Sequence, residues 1–270
     1  MIVLLRGGGD LATGVALRLH RSGIRVAITE LPQPLVVRRL VSFAEAVYRG
    51  AFEVEGVTAQ MSASAQAALR ILESGRIPVL VDPTAECRHA LSPAVLVDAR
   101  MTKRPPDLGK EAASLVVGLG PGFVAGENCH AVIETQRGHT LGRVFWQGAA
   151  EPDSGVPETV SRRGSERVLR APADGVLHTH VEIGEHVETG AIIAEVADQP
   201  IRAPFTGVLR GLLHAGLSVQ RGSKIGDLDP RDDPRWCSLV SDKALAVGGA
   251  VLEAILSRPD LRNWHPLNPE

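Results

Sequence analysis

Residues 3–14 read Val-Leu-Leu-Arg-Gly-Gly-Gly-Asp-Leu-Ala-Thr-Gly. A short apolar run at 2–5 suits a buried strand. Three glycines follow, and then Leu11, Val15 and Leu19 recur at helical spacing. A second apolar run at 24–28 ends in Thr29-Glu30. Strand, glycine turn, helix, strand and acid, in that order, open a doubly wound nucleotide-binding fold. The expected class is α/β, with a Rossmann-like, mostly parallel sheet.

Each residue of this stretch has a chemical reading. Gly7 permits a sharp turn, and Gly9 has no Cβ to block a pyrophosphate. Gly8 completes the loop, and the N–H groups opening the helix would face the phosphates. Glu30 stands where an acid would accept both ribose hydroxyls and repel a 2′-phosphate. Asp10 falls where it would cap the helix, and its charge would oppose a phosphate unless a divalent metal intervenes. It is the single candidate metal ligand; no other is expected. The alternative is a glycine-rich turn with an Asp cap and no ligand.

The chain has 270 residues, enough for one large domain or two modest ones, and 44% are hydrophobic. Its formal net charge of −2 gives no general basic field, so no nucleic-acid partner is expected. The three cysteines, Cys87, Cys129 and Cys237, show no C-x-x-C spacing, which argues against a disulfide scaffold and fits a reducing cytoplasm. There is no 18-residue apolar run and no signal-like N-terminus, so no membrane association is expected, and the location inferred is cytoplasmic.

Further on, 78–81 and 94–97 are continuous apolar runs, each followed by an aspartate, Asp82 and Asp98. Buried parallel strands have this character, and polar residues at their carboxyl ends line the ligand crevice. Residues 101–107 form a basic loop whose Lys103 could clamp an anion. The strand expected at 115–119 runs into a second glycine loop, containing Gly118, Gly120 and Gly122, where a backbone could pass close to a ligand or to another strand. After a further strand at 131–133 comes a dense polar cluster: Glu134, Thr135, Arg137, His139 and Arg143. It suits anion binding or acid–base work, or else a salt-bridged surface hairpin. His139 and Cys129 are the candidate catalytic residues. Whether any reaction is catalysed is left open, as is oligomeric state, a homodimer included.

Turn formers crowd 148–164, and the domain boundary is placed there. The next stretch repeats itself at an offset of 32. Arg170-Ala-Pro-Ala-Asp-Gly-Val-Leu177 recurs as Arg202-Ala-Pro-Phe-Thr-Gly-Val-Leu209, and Gly184-x-x-Val187-x-x-Gly190 recurs as Gly216-x-x-Val219-x-x-Gly222. Two copies of one β unit predict a quasi-two-fold module. The pattern resembles the biotinyl/lipoyl carrier family, a barrel-sandwich of short strands. The junction at 195–200 lacks the lysine such carriers modify, so neither biotin nor lipoate is implied. Residues 241–257 read as one helix with an apolar face, capped by Ser241, with Gly248-Gly249 suggesting close packing. The expected organisation is 1–163 as a Rossmann-like nucleotide- or cofactor-binding domain, 164–230 as the β module, and 231–270 as a C-terminal helix packing back on the first domain.

Three signatures stand together: Arg6-Gly-Gly-Gly-Asp-Leu-Ala-Thr-Gly14, Gly118-Leu-Gly-Pro-Gly-Phe-Val-Ala-Gly126, and Glu134-Thr-Gln-Arg-Gly-His-Thr-Leu-Gly-Arg143. With Ser241-Asp-Lys-Ala in the tail, the chain resembles the selenium-dependent molybdenum hydroxylase system proteins and, more remotely, xanthine dehydrogenase accessory factors. That resemblance implies a maturation factor with a molybdenum hydroxylase as partner. It implies a nucleotide or molybdenum cofactor species bound by the first glycine loop, with Lys103, Arg137 and His139 at its anionic end and Cys129 available to carry sulfur or selenium. Two rival expectations are an NAD-dependent oxidoreductase and a non-catalytic docking adaptor.

Overall fold

The computed structural model describes residues 1–102, 104–153, 155 and 163–261. It divides into two compact units. One comprises residues 1–34, 42–153 and 240 onward, and the other residues 35–41 and 154–239. Ser154 and residues 156–162, which take in much of the expected domain boundary, lie outside the described residues.

The first unit is a mixed α/β layer structure. Its strands are β1 (Ile2–Arg6), β2 (Arg25–Glu30), β3 (Ala51–Val54), β4 (Val57–Ser62), β5 (Ile77–Val81), β6 (Val95–Asp98), β7 (Leu115–Leu119), β8 (Val124–Ala125), β9 (Ala131–Ile133), β10 (Val144–Phe145) and β11 (Gly148–Ala149). Its helices are α1 (Asp10–Arg21), α2 (Ala46–Arg49), α3 (Ala65–Glu73), α4 (Arg88–Leu91) and α5 (Asp242–Leu256). Nine strands form one sheet in the order β10-β9-β7-β6-β1-β2-β5-β4-β3. The seven inner strands run parallel, and β10 and β3 close the two edges antiparallel. Strands β8 and β11 make a separate antiparallel pair.

The inner strands are apolar because helices cover them. Leu4, Ala27, Leu96, Val116 and Val132 share a buried cluster with Ala68 of α3 and Leu91 of α4. Helix α1 packs against α5, and the contact explains two glycines. A Cβ on Gly248 would stand 2.5 Å from the Gly14 carbonyl, and one on Gly14 would fall inside Ala244. Gly249 faces open space, so the close approach uses the first member of the pair. Ser241 caps α5 by accepting the Ala244 N–H at 3.1 Å.

The second unit holds β12 (Val168–Arg170), β13 (Gly175–Thr179), β14 (His186–Val187), β15 (Ile192–Val196), β16 (Gln199–Arg202), β17 (Gly207–Leu212), β18 (Ser218–Val219) and β19 (Lys224–Asp229). They form two four-stranded sheets, β12-β19-β17-β14 and β16-β15-β13-β18. Both sheets are antiparallel. Advancing by one repeat turns β12 into β16, β13 into β17, β14 into β18 and β15 into β19. Each sheet therefore draws two strands from each copy, and the repeat maps one sheet onto the other. Leu177, Ile193, Leu209 and Ile225, equivalent in pairs, fill the shared core. The hairpin joining the copies turns through Ala197 and Asp198, both at left-handed φ.

Candidate functional site

In the large sheet the chain reaches β2, β4 and β5 on one side of β1, then crosses to β6, β7 and β9 on the other. The reversal falls between β1 and β6. Ligands of open α/β sheets bind outside the carboxyl ends of the strands at such a point.

The segments leaving those two strands meet there. Gly7 takes φ +96°, a left-handed conformation that strains any residue with a Cβ, and its N–H donates to the Thr29 carbonyl at 2.8 Å. Helix α1 begins at Asp10 with Gly9 as its N-cap, and Gly9 offers no side chain to the orphan N–H groups. Asp10 is thus the first helical residue rather than the expected cap. Its Oδ1 accepts the Leu11 N–H at 3.0 Å, and its charge favours the helix terminus. Among the described residues, no three His, Cys, Asp or Glu side chains converge on a metal-binding geometry.

Below the loop lies a charged cluster that sequence reading missed. Arg6 closes β1, pairs in register with Asp98 of β6, and is fully buried. Its guanidinium grips Asp107 with two parallel bonds of 2.7 and 2.9 Å, donates to the Pro83 carbonyl at 3.1 Å, and stands 3.5 Å from Asp98. Arg100, two residues past β6, binds Asp98 at 2.9 and 2.6 Å and Asp107 at 2.6 Å. The Asp107 carboxyl lies well below its ordinary range, chiefly because Arg6 donates to it and secondarily because Arg100 does, against a burial cost. Within this cluster the buried Arg6 Nε has no partner among the described residues. The available signal was an arginine ending an otherwise apolar strand, opposite a second strand that ends in Asp-Ala-Arg.

Glu30 is present at the end of β2, but its oxygens are engaged. Oε1 accepts the Gly8 N–H at 2.6 Å and Oε2 the Leu31 N–H at 2.8 Å. Burial pushes its carboxyl up, and these two N–H groups only partly oppose that. Glu30 therefore holds the glycine loop in shape, with one N–H on each of its two oxygens. Gly8 is needed for packing, since a Cβ there would lie 2.9 Å from the Ala44 nitrogen. Residues 43 and 44 dock on the loop: the Ala44 N–H donates to the Gly8 carbonyl, and the Phe43 N–H to Thr13 Oγ1, both at 2.9 Å.

The remaining sequence candidates lie elsewhere. Around the second glycine loop the missing side chains are replaced by the protein's own atoms. Phe123 fills the space at Gly118, Thr135 Oγ1 would stand 2.5 Å from a Cβ on Gly120, and the Arg104 carbonyl 2.7 Å from one on Gly122. Glu134 is fully buried and accepts the N–H groups of Gln136 at 2.6 Å and Glu151 at 2.7 Å. Arg137 pairs with Asp242 through two 2.6 Å bonds, and His139 is exposed. Cys129 is fully buried, and burial pushes its thiol up to about 11, which disfavours the thiolate at neutral pH. Asp82 caps the turn before α4, accepting the N–H groups of Glu86 at 3.0 Å and Cys87 at 2.7 Å. Lys103 lies outside the described residues.

No family model matches the chain. An Escherichia coli K12 relative, described as uncharacterized protein YqeB, is 46% identical over 255 residues, covering 94% of this chain and 47% of its own length. The chain thus spans about half the length of the curated relative it matches. Among solved structures, an aspartoacylase family protein from Mesorhizobium loti is 13% identical, covers 84% of this chain and 83% of its own, and superposes at a TM-score of 0.27. A succinylglutamate desuccinylase from Silicibacter is 13% identical, covers 84% of each chain, and superposes at 0.24. Superpositions this loose transfer neither fold nor chemistry.

The curated match overturns the expected membership in the selenium-dependent molybdenum hydroxylase system. The relative that shares 46% of its residues with this chain is described as an uncharacterized protein and not as a hydroxylase accessory protein. The maturation role, the selenium dependence and the hydroxylase partner are withdrawn. The physical reason is visible in two of the signatures behind that resemblance. The glycines at 118–122 accommodate internal packing, and Glu134 and Arg137 are engaged within the protein. Among the described residues, no helix is long and apolar enough to cross a membrane.

Proposed function

We propose that the first unit is a Rossmann-like domain that binds a phosphate-bearing nucleotide at the carboxyl edge of β1 and β6. The observation that carries this reading is a coincidence of position. The reversal of strand order falls where a glycine turn enters a twelve-residue helix whose N-cap supplies no side-chain acceptor. The dipole of that terminus favours an anion, although the Asp10 carboxylate already takes the Leu11 N–H and opposes a second negative charge there. Arg6 and Arg100 add two guanidinium groups in fork geometry suited to phosphate. With Glu30 committed to Gly8 and Leu31, the phosphate rather than the ribose is the group recognised most directly.

The second unit is read, at the finer level, as a barrel-sandwich module that carries no prosthetic group. Lys224, the one lysine between residues 164 and 230, lies on β19, away from the Ala197-Asp198 hairpin where a carrier would present its modified residue.

A thermal-shift panel of AMP, ADP, CDP and NAD, with and without magnesium, tests the nucleotide reading. A nucleotide at one hundred times its dissociation constant stabilises the folded state by about 2.7 kcal/mol, a shift of roughly 2–4 °C per kcal/mol at this chain length. Gly9→Val should abolish the shift by placing a branched side chain at the helix entrance. No shift with any member of the panel rejects the reading.

A further inference from the structure

We propose that Arg6 and Arg100 form a phosphate subsite, and that Asp107 occupies it as an internal anion that must leave before phosphate can bind. The proposal rests on the nucleotide-binding reading for the identity of the ligand, but the subsite has its own geometry.

Asp107 presents its carboxylate to two guanidinium groups as a phosphate would. Both oxygens engage Arg6, at 2.7 and 2.9 Å, and one also accepts from Arg100 at 2.6 Å. Planar forks with two parallel bonds are the arrangement by which arginine takes either carboxylate or phosphate. The two partners differ in depth. The Arg6 side chain is completely shielded, whereas the Asp107 side chain is 53% exposed. The carboxylate therefore sits at the mouth with the guanidinium beneath it.

The other acid of the cluster behaves differently. Asp98 is buried, ends a central strand, and is held by Arg100 through two bonds. It is built into the sheet and stays. Asp107 lies in the connection between β6 and β7, after Pro105-Pro106 and outside the sheet. Two arginines and two aspartates make the cluster neutral as it stands. Once Asp107 swings out it carries one positive charge, beside the positive end of α1. Arg6 Nε, buried without a partner, adds a donor whose bonding is not satisfied by the internal anion. The Gly7 backbone borders the same point: a Cβ there would stand 3.4 Å from the Arg100 Cα.

The exchange is one anion for another, so no bond breaks and no proton need move. Its consequence is a threshold. A neutral or weakly anionic molecule cannot compete with the tethered carboxylate, whereas a phosphate dianion can.

Calorimetric titration of the full chain with inorganic phosphate and with ADP tests this, on the wild type, Asp107→Asn and Arg100→Gln. Asp107→Asn keeps a hydrogen-bonding shape but removes the competing charge. It should bind phosphate at least tenfold more tightly than wild type, which is about 1.4 kcal/mol, and Arg100→Gln should bind it at least tenfold more weakly. Equal or weaker phosphate binding by a folded Asp107→Asn overturns the proposal. Should that variant not fold, amide exchange on the wild type decides. Saturating inorganic phosphate should speed exchange at Arg104, Asp107 and Leu108, and unchanged exchange there overturns the plug. The two readings fail separately. Nucleotide binding without tightening in Asp107→Asn removes the plug and leaves the nucleotide reading. Phosphate binding that tightens in Asp107→Asn with no ADP binding keeps the subsite and removes the nucleotide.

Discussion

The two glycine loops of the large sheet look alike in sequence and have different surroundings. Both leave the carboxyl end of a buried parallel strand, β1 or β7, and both have a buried glutamate nearby, Glu30 or Glu134. Each glutamate accepts two backbone N–H groups and locks local loop structure. Protein atoms also crowd Gly7 and Gly8 of the first loop, so the difference lies in what each loop leads into. At the second loop it is Phe123, Thr135 and Arg104, so the loop is closed on itself. At the first, Gly7 and Gly9 lead to a helix terminus without a side-chain cap, with an arginine cluster alongside. A glycine pattern signals that backbone approaches something closely; the residues facing it decide whether that something is a ligand or the protein.

That contrast can be broken at either loop. The largest effect is expected from Arg6→Met. Removing one member of a buried ion pair costs about 3–5 kcal/mol, and the low end applies because Arg100 still neutralises Asp98. Chemical denaturation should show a loss near 3 kcal/mol; a loss below roughly 1 kcal/mol would mean the cluster is not buried as described. Gly118→Ala comes next. It overpacks the Phe123 contact and should cost about 1–3 kcal/mol while leaving ligand affinity at the first loop unchanged. A drop in affinity with unchanged stability would give the second loop a role in binding.

The acid limb of stability sharpens the comparison further. The pKa of Asp107 is lowered in the folded state, so its contribution is present above its unfolded value of about 3.9 and is lost as pH falls towards the folded value. Asp107→Asn should flatten the stability profile below about pH 4, measured by urea unfolding across pH; an unaltered limb would contradict the pairing with Arg6. The smallest effect concerns thiols. Cys129 near the second loop, with its thiol pushed up to about 11, and Cys87, pushed up to about 12, should resist iodoacetamide at pH 7.5 in the folded protein and react on unfolding. Rapid labelling of folded Cys129 would contradict its burial and favour it as a nucleophile.

Much of the scaffold was legible because it rests on local periodicity. The apolar runs at 2–5, 78–81, 94–97 and 115–119 became inner strands of the sheet, and the repeat at offset 32 maps one sheet of the second unit onto the other. The helix expected at 241–257 begins one residue after Ser241, which caps it. The site was less legible because it depends on contacts between distant residues. Arg6 and Asp107 are 101 positions apart, and nothing local ties them. Glu30 sits where a ribose acid would stand, and its bond to the Gly8 N–H is a contact that the sequence does not announce. Asp10 was displaced from the cap by one residue, a shift that composition cannot resolve.

The most direct test of the central claim is an amide chemical-shift map of the isotopically labelled full chain titrated with ADP and, separately, with inorganic phosphate. The account predicts the largest perturbations at Gly7, Gly9, Asp10, Leu11 and Arg100 with both, together with changes at Asp107. Perturbations confined to residues 118–126 or 134–143, or absent throughout, would contradict it.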